Sequence, residues 1–359
     1  MAKSTKPAPG APRAVRLDQC IRRMAGLAWS WGYDRITTPL AEPEDAFAAV
    51  SAEDLEHRAY RMIDASGRTM LLRSDVTLFA ARQLAGVPAD SEAEPTRAWY
   101  AEPILRRADA ESLAGDEAYQ LGVELVGDPR LDADLEVILL AAEYLAALGV
   151  RDTVIHVGSA GLLSDLPATL REPVRRAVLQ RDWEAARALL SAGGMAPDTV
   201  RRFTTIVEAD SAEAWVREQA DGAGESLHRV LADLSRVLEI CAELSPIPVR
   251  LDSSELGSRS YHSGISFRVY GPNNSQAIGG GGRYDGLLGL FGSRRVATGW
   301  SMTAGQLLQA GAPASLTDSA SAAHGASQAS GPAGSESADF GERYRRAAEA
   351  RGEGERVHL

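Results

Sequence analysis

Two residue types are nearly missing from this 359-residue chain: lysine occurs only at Lys3 and Lys6, and cysteine only at Cys20 and Cys241. Both cysteines fall at apolar positions of helical patterns, so they read as buried free thiols. With no CxxC and no Cys/His cluster, neither a zinc site nor a redox motif is predicted. An excess of positive charge is also lacking. The formal net charge is -11, which speaks against a general nucleic-acid or anionic-membrane binder, because both need a basic footprint. The most apolar run, Val137 to Val150, is interrupted by Glu143 and is too short to span a bilayer. The N-terminal MAKSTKPAPGAP has no apolar core and is no signal peptide; a cytoplasmic location is expected. No HExxH, no Ser/His/Asp signature and no acidic metal motif occurs. Gly279-Gly-Gly-Gly282 fits neither GxxxxGK[ST] nor a GxGxxG opening a helix. It reads instead as close backbone approach in a strand flooring a pocket.

What is present is organised around Tyr100 to Gly127. An apolar start at Ile104 and Leu105 leads to Arg106 and Arg107, and a loop of small and acidic residues follows from Ala108 to Glu117. The return segment, Ala118 to Val126, alternates with period two, which predicts a half-buried strand. Tyr119, Leu121, Val123 and Leu125 share one face, and Gln120, Gly122 and Glu124 the other. The whole reads as a long-looped antiparallel hairpin offering Arg106, Gln120 and Glu124 to one surface. A cation, an amide and a carboxylate suit a zwitterionic amino acid, whereas spacing alone equally fits a solvated sheet face.

Around this hairpin the chain reads as soluble α+β. Ile21, Met24, Ala25 and Ala28 predict an amphipathic helix from about Leu17 to Trp31, ended by Gly32. A hairpin is expected around Asp64-Ala-Ser-Gly67, followed by a helix carrying Leu78, Ala81 and Leu84, with Asp75 or Ser74 as its cap. Asp132 to Leu148 predicts a helix with Leu135, Ile138, Leu139, Ala142 and Leu145 on one stripe, and Thr153 to Val157 a strand. His156 in that strand reads as structural. From about 164 to 245 the pattern is wholly helical, an insertion into a strand-rich domain. Strands return at Val249 to Leu251, Ile265 to Val269 and Gln276 to Gly282, with a helix through Leu287, Leu288 and Leu290. Three segments result: a disordered N-terminus (1–12), a main domain (13–311) and a low-complexity tail (312–359). The tail is expected to be disordered, since so few large apolar residues cannot offset ordering entropy, with marginal helix from Glu342 onward.

Five stretches in register across about residues 15 to 308 resemble the catalytic domain of histidyl-tRNA synthetase, a class II synthetase. Gly32-Tyr-Asp-Arg-Ile-Thr-Thr-Pro39 is similar to the first class II motif. Leu72-Arg-Ser-Asp-Val-Thr77 is similar to the loop holding the histidine amino group. Ile104-Leu-Arg106 through Gln120-Leu-Gly-Val-Glu124 resembles the second motif, Gly281-Gly-Arg-Tyr-Asp285 a signature of the histidine pocket, and Ala297-Thr-Gly-Trp300 the start of the third motif. The resemblance implies an antiparallel sheet flanked by helices and a dimer built on the first motif. It also implies a histidine pocket of Asp75, Thr77, Arg106, Gln120, Glu124, Tyr261 and Tyr284, with Arg259 and His262 as additional members. Asp75 and Thr77 would take the ammonium with Gln120 in support, Arg106 the carboxylate, Glu124 and Tyr261 the imidazole, and Tyr284 a wall.

The departures from that family bear on activity. Where a working synthetase carries a glutamate and basic residues in its second motif, this chain has Ala108, Ala114 and Asp116. Its ATP-clamping arginine is Gln306 here, and its histidine-specific arginine is Gly257, two residues before Arg259. The anticodon-binding domain expected after the third motif is replaced by the low-complexity tail. Losing several phosphate-binding cations, each worth about a hundredfold or more in rate, leaves no credible adenylating enzyme. A histidine pocket without ATP machinery resembles the regulatory subunits of ATP phosphoribosyltransferase. That resemblance implies a non-catalytic protein, without cofactor or metal, in a hetero-octamer with the short-form catalytic subunit. It would activate the first step of histidine biosynthesis and help mediate feedback inhibition by histidine. Two alternatives remain open at this level: a paralogue adenylating an amino acid for a non-tRNA acceptor, and a tRNA-sensing module.

Overall fold

The computed structural model describes residues 13–51, 55, 59–87, 94–107, 117–208, 224–272, 276–311 and 339–359. The expected disordered N-terminus, the hairpin loop over 108–116 and the first part of the tail, 312–338, lie outside them. Helix α1 (Arg13–Ser30) buries Cys20, Met24 and Ala28, one face at helical spacing. Gly32, at φ +84°, ends it in the left-handed region that favours glycine. A short strand β1 (Asp34–Arg35) then pairs in parallel with β5 (Thr96–Leu105). The predicted hairpin is formed by β5 and β6 (Glu117–Val126), paired antiparallel from Thr96↔Val126 to Leu105↔Glu117.

These strands begin an eight-stranded sheet in the order β1-β5-β6-β11-β10-β9-β7-β8. Its remaining members are β7 (Val154–Ser159), β8 (Val249–Leu251), β9 (Ile265–Tyr270), β10 (Ala277–Arg283) and β11 (Ala297–Thr303). A second sheet of β2 (Ala41–Pro43), β4 (Thr69–Leu72) and β3 (Arg61–Ile63) leads into α2 (Val76–Ala85). The β3–β4 turn is held by Asp64, whose Oδ1 accepts from the Ser66 and Arg68 amides.

Helix α3 (Leu131–Ala147) is buried nearly all round, not on one stripe as its sequence suggests. The sheet takes one side, and α1 and α7 (Glu225–Leu244) cover others, so Leu135, Ile138, Leu139 and Leu145 join a single core with Leu121, Val123, Trp300 and Phe267. The helical insertion consists of α4 (Ala168–Leu179), α5 (Trp183–Ala192), α6 (Pro197–Glu208) and α7. It separates β7 from β8, which nevertheless pair side by side in parallel. Its own apolar cluster contains Val174, Val178, Leu190, Phe203, Ile206 and Leu231. Further along α7, Leu234, Val237, Ile240 and Cys241 enter the main core.

Two expectations are corrected. Leu287 to Leu290 do not make an α-helix; a single 3-10 turn, Leu288–Phe291, is closed by Gly292 at φ +90°. The end of the tail, expected to be disordered with marginal helix from Glu342 onward, is instead a packed helix. Residues Phe340–Gly352 form helix α9, and Phe340, Tyr344, Ala347 and Val357 are buried. Their i, i+4, i+7 spacing gives α9 an apolar face that covers Trp31, with the Arg351 guanidinium 4.0 Å from its ring centroid. The Tyr344 hydroxyl and the Trp31 indole N–H both donate to Glu143, and the Val357 amide donates to the Ser30 carbonyl.

Candidate functional site

The sheet face opposite α3 carries a cavity of about 380 Å³ lined by all nine residues expected at the site. Asp75, Thr77, Arg106, Gln120, Glu124, Tyr261, Tyr284, Arg259 and His262 come from five separated stretches and converge on one space. Asp75 is the N-cap of α2 and its Oδ1 accepts from the Thr77 amide at 3.0 Å. The Gln120 Oε1 accepts from the Val76 amide at 2.9 Å, so strand β6 and the helix start are joined by a side chain. Asp75 Oδ2 is paired with Arg259 at 2.8 Å and with Arg106 at 3.5 Å, while the Arg106 Nε donates to the Ser74 carbonyl at 3.0 Å. Burial pushes the Asp75 carboxyl upward, but Arg259 and then Arg106 outweigh it and hold the group below its ordinary range.

Deeper in the cavity the balance reverses. Glu124 accepts from the Tyr284 hydroxyl and, at 3.2 Å, from Tyr100, whose hydroxyl also meets Thr77 Oγ1 at 3.1 Å. Burial dominates these hydrogen bonds, and the nearby Asp75 charge adds to it, so the Glu124 pKa rises to about 8. Gly299 makes room for this carboxylate, since a Cβ there would collide with Oε2. The ring of Tyr261 packs edge-on to Tyr284, with centroids 5.9 Å apart. His262 stands beside Tyr261; burial first, then Arg259, Arg175 and Arg268, drive its pKa down to about 3, so the imidazole is neutral. The pocket therefore has a charged rim of one carboxylate between two guanidinium groups and a neutral, hydroxyl-rich interior.

A carboxyl whose folded pKa lies above its unfolded value keeps a proton that the unfolded chain releases. Stability then falls as pH rises through that interval, by about 1.4 kcal/mol per unit at most. Glu124, moved from 4.5 to about 8, should therefore make the wild-type thermal midpoint drop between pH 5 and 8 relative to Glu124→Gln. Parallel profiles for the two proteins would show that Glu124 is ionised throughout.

The glycine run lies in β10 and floors the cavity with Gly279, Gly280 and Gly281, as the sequence suggests. Arg283 and Tyr284, adjacent in one of the family-like stretches, face opposite ways. Tyr284 enters the cavity, while Arg283 crosses to α3 and pairs with Asp134 at 2.8 Å. Gln306, on the first turn of α8 (Ala304–Gln309), also lines the cavity; its amide donates to the Ala277 carbonyl at 3.1 Å and its oxygen accepts from Thr303. Arg268 is a lining residue the sequence reading did not select. It stands on the polar face of β9, opposite Ile265, Phe267 and Val269, so strand alternation could have found it. Its partner is Glu255 at 2.6 Å. Among the described residues, no group of three or more His, Cys, Asp or Glu side chains is placed to hold a metal ion, and no helix is long and apolar enough to cross a membrane.

The sequence model for histidyl-tRNA synthetase matches residues 10–307. The chain belongs to the histidyl-tRNA synthetase family. Within that family, the ATP phosphoribosyltransferase regulatory subunit of Bacillus velezensis is 33% identical over 298 residues, covering 80% of this chain and 75% of that protein. A crystal structure from Bacillus halodurans, described as an ATP phosphoribosyltransferase regulatory subunit/histidyl-tRNA synthetase, superposes with TM-score 0.74 at 25% identity, covering 100% of this chain and 93% of that one. A chain of the ATP phosphoribosyl transferase complex of Thermotoga maritima, 19% identical, shares the fold with TM-score 0.60 over 79% of this chain and 96% of that one. The cavity lies at the β6–β11–β10 centre of this shared fold.

Proposed function

We propose that this chain is the regulatory subunit of an ATP phosphoribosyltransferase, activating a short-form catalytic subunit in the first step of histidine biosynthesis and binding histidine as a feedback effector. The observation that carries the reading is the cavity's division of charge. Its amino-acid half keeps Asp75, Arg106, Gln120, Glu124, Tyr261 and Tyr284 together. In its other half, among the described residues, Arg268 is held by Glu255 and Gln306 stands tied to a main-chain carbonyl, which leaves no cation placed for a triphosphate. No lysine or arginine occurs between Ala108 and Asp116. Adenylation needs cations placed where phosphate charge develops, so the chain itself is non-catalytic.

In this reading the ligand ammonium joins Asp75, which is ionised, and its carboxylate takes Arg106 and Arg259, whose two charges exceed the single charge of Asp75. The imidazole lies against Glu124 and the tyrosines. The protein would act in the cytoplasm within a hetero-oligomer, octameric as in the resemblance, through self-association and through the catalytic partner. Histidine regulates only by binding one conformation of that complex better than another.

The deciding experiment co-purifies this chain with a short-form catalytic subunit and measures phosphoribosyltransferase rate with and without histidine. Expected are a stable complex, a rate well above that of the catalytic subunit alone, and inhibition by histidine that Asp75→Asn weakens at least tenfold. No complex, or a rate unchanged by the chain, overturns the reading. Histidine-dependent ATP–pyrophosphate exchange by the isolated chain would overturn its non-catalytic part.

A further inference from the structure

The segment Gly257-Ser-Arg-Ser-Tyr-His262 delivers Arg259, Tyr261 and His262 to the cavity, and the helical insertion takes part in holding it. Leu256, the residue before it, is completely buried in the apolar cluster of the helical insertion, with Val174, Val178 and Leu231. Gly257 is then gripped on both polar groups. Its amide donates to Glu255 Oε1 at 3.1 Å, and its carbonyl accepts from Arg175 NH1 of α4 at 2.8 Å. Arg175 is 5% exposed, and Glu172 on the same helix holds the rest of its fork at 2.8 and 2.9 Å. Two prongs are thus fixed within the insertion and the third is aimed at the pocket segment. The grip also has a definite shape to preserve. Gly257 sits at φ +87°, where a side chain is disfavoured, and a Cβ would approach the His262 Cβ to 2.6 Å.

We propose that Arg175 is a positioning residue of the ligand site, through which the helical insertion sets the conformation of residues 257–262 and so the seating of Arg259 on Asp75. Arg175 is absent from the cavity wall. It acts through Arg259, which reaches Asp75 at 2.8 Å only while the segment keeps its path. Packing of the insertion and occupancy of the pocket are therefore linked. Whatever displaces α4 loosens the amino-acid site, and a ligand that needs Arg259 in place stiffens the insertion. The inference rests on the amino-acid-binding reading of this pocket.

The test uses the full chain, with histidine titrated calorimetrically into wild type, Arg175→Ala, Arg175→Lys, Arg259→Ala and the Arg175→Ala/Arg259→Ala double variant. Arg175→Ala is expected to weaken histidine about tenfold, the worth of one charge-assisted hydrogen bond, and Arg175→Lys, which keeps a donor, to recover part of that. In the Arg259→Ala background Arg175→Ala should add almost nothing, because the two act in series. Hydrogen exchange supplies a readout independent of ligand. Arg175→Ala should speed exchange across 253–263 while α5 and α6 keep wild-type protection. Equal weakening in both backgrounds, or unchanged exchange across 253–263, overturns the proposal. Loss of protection throughout α4 to α6 overturns it too, by making Arg175 a merely structural residue. A wild type that binds no histidine refutes the histidine-binding part of the function proposed above, and the exchange result then decides the clamp alone.

Discussion

Replacing Arg283 by leucine is expected to remove about 3–5 kcal/mol of stability, because it leaves a carboxylate buried without its counter-charge. Asp134, 3% exposed, lies against the Arg283 guanidinium, with Nε at 2.9 Å and NH2 at 2.8 Å. The same guanidinium donates to the Asp128 and Arg130 carbonyls at 3.1 and 3.0 Å. These bonds tie β10 to the start of α3. Replacing both partners, Arg283→Leu with Asp134→Leu, should cost less than Arg283→Leu alone, since the orphaned charge goes with them. Urea denaturation of the three proteins at neutral pH measures this. A single variant within 1 kcal/mol of wild type, or a double variant worse than the single, would show that Asp134 finds water or a proton instead. Because Tyr284 follows Arg283 directly, the single variant should also disturb the Glu124 hydroxyl cluster.

Deleting residues 339–359 is the second large effect. It uncovers Trp31, which is fully buried, and removes the buried Phe340, Tyr344, Ala347 and Val357. Each large apolar side chain buried contributes about 1.5–3 kcal/mol, a gain that ordering of the segment partly offsets. A net loss of about 2–4 kcal/mol is expected, with a red-shifted tryptophan emission. Glu143, which accepts from both Trp31 and Tyr344, keeps one partner, while the Arg343–Asp132 and Arg345–Glu243 ion pairs are lost with the segment. If the midpoint and emission stay unchanged, α9 is a passenger on the α1 surface.

Much of the fold and the site was readable where the chain is periodic. Strand alternation located Gln120 and Glu124 on one face, and motif order brought Asp75, Arg106 and Tyr284 into the same account. Where the path is aperiodic, the sequence is mute. The segment from Gly257 to His262 has no repeat, so only coordinates place Arg259 on Asp75 and Arg175 behind it. Arg268 illustrates the opposite failure, a signal present in the β9 alternation and passed over because its neighbours looked like core. The end of the tail, where only marginal helix is expected, hides its packing for a third reason. Averaged over 312–359 the composition is poor in large apolar residues, which hides the spacing of Phe340, Tyr344 and Ala347. Likewise α3 shows one apolar stripe by period, and only the packing of α1 and α7 reveals that its other sides are covered.

The contact between the C-terminal segment and the turn that ends α1 joins residues more than 300 positions apart, as in the Arg356 bond to the Gly32 carbonyl. A ribosome adds roughly 5–20 residues per second, so α1 and Trp31 wait tens of seconds for their cover. During that interval Trp31 is exposed on a nascent chain. Co-translational chaperone capture should concentrate there and end when residues 340–359 emerge, which makes the last helix a timing element as well as a packing one.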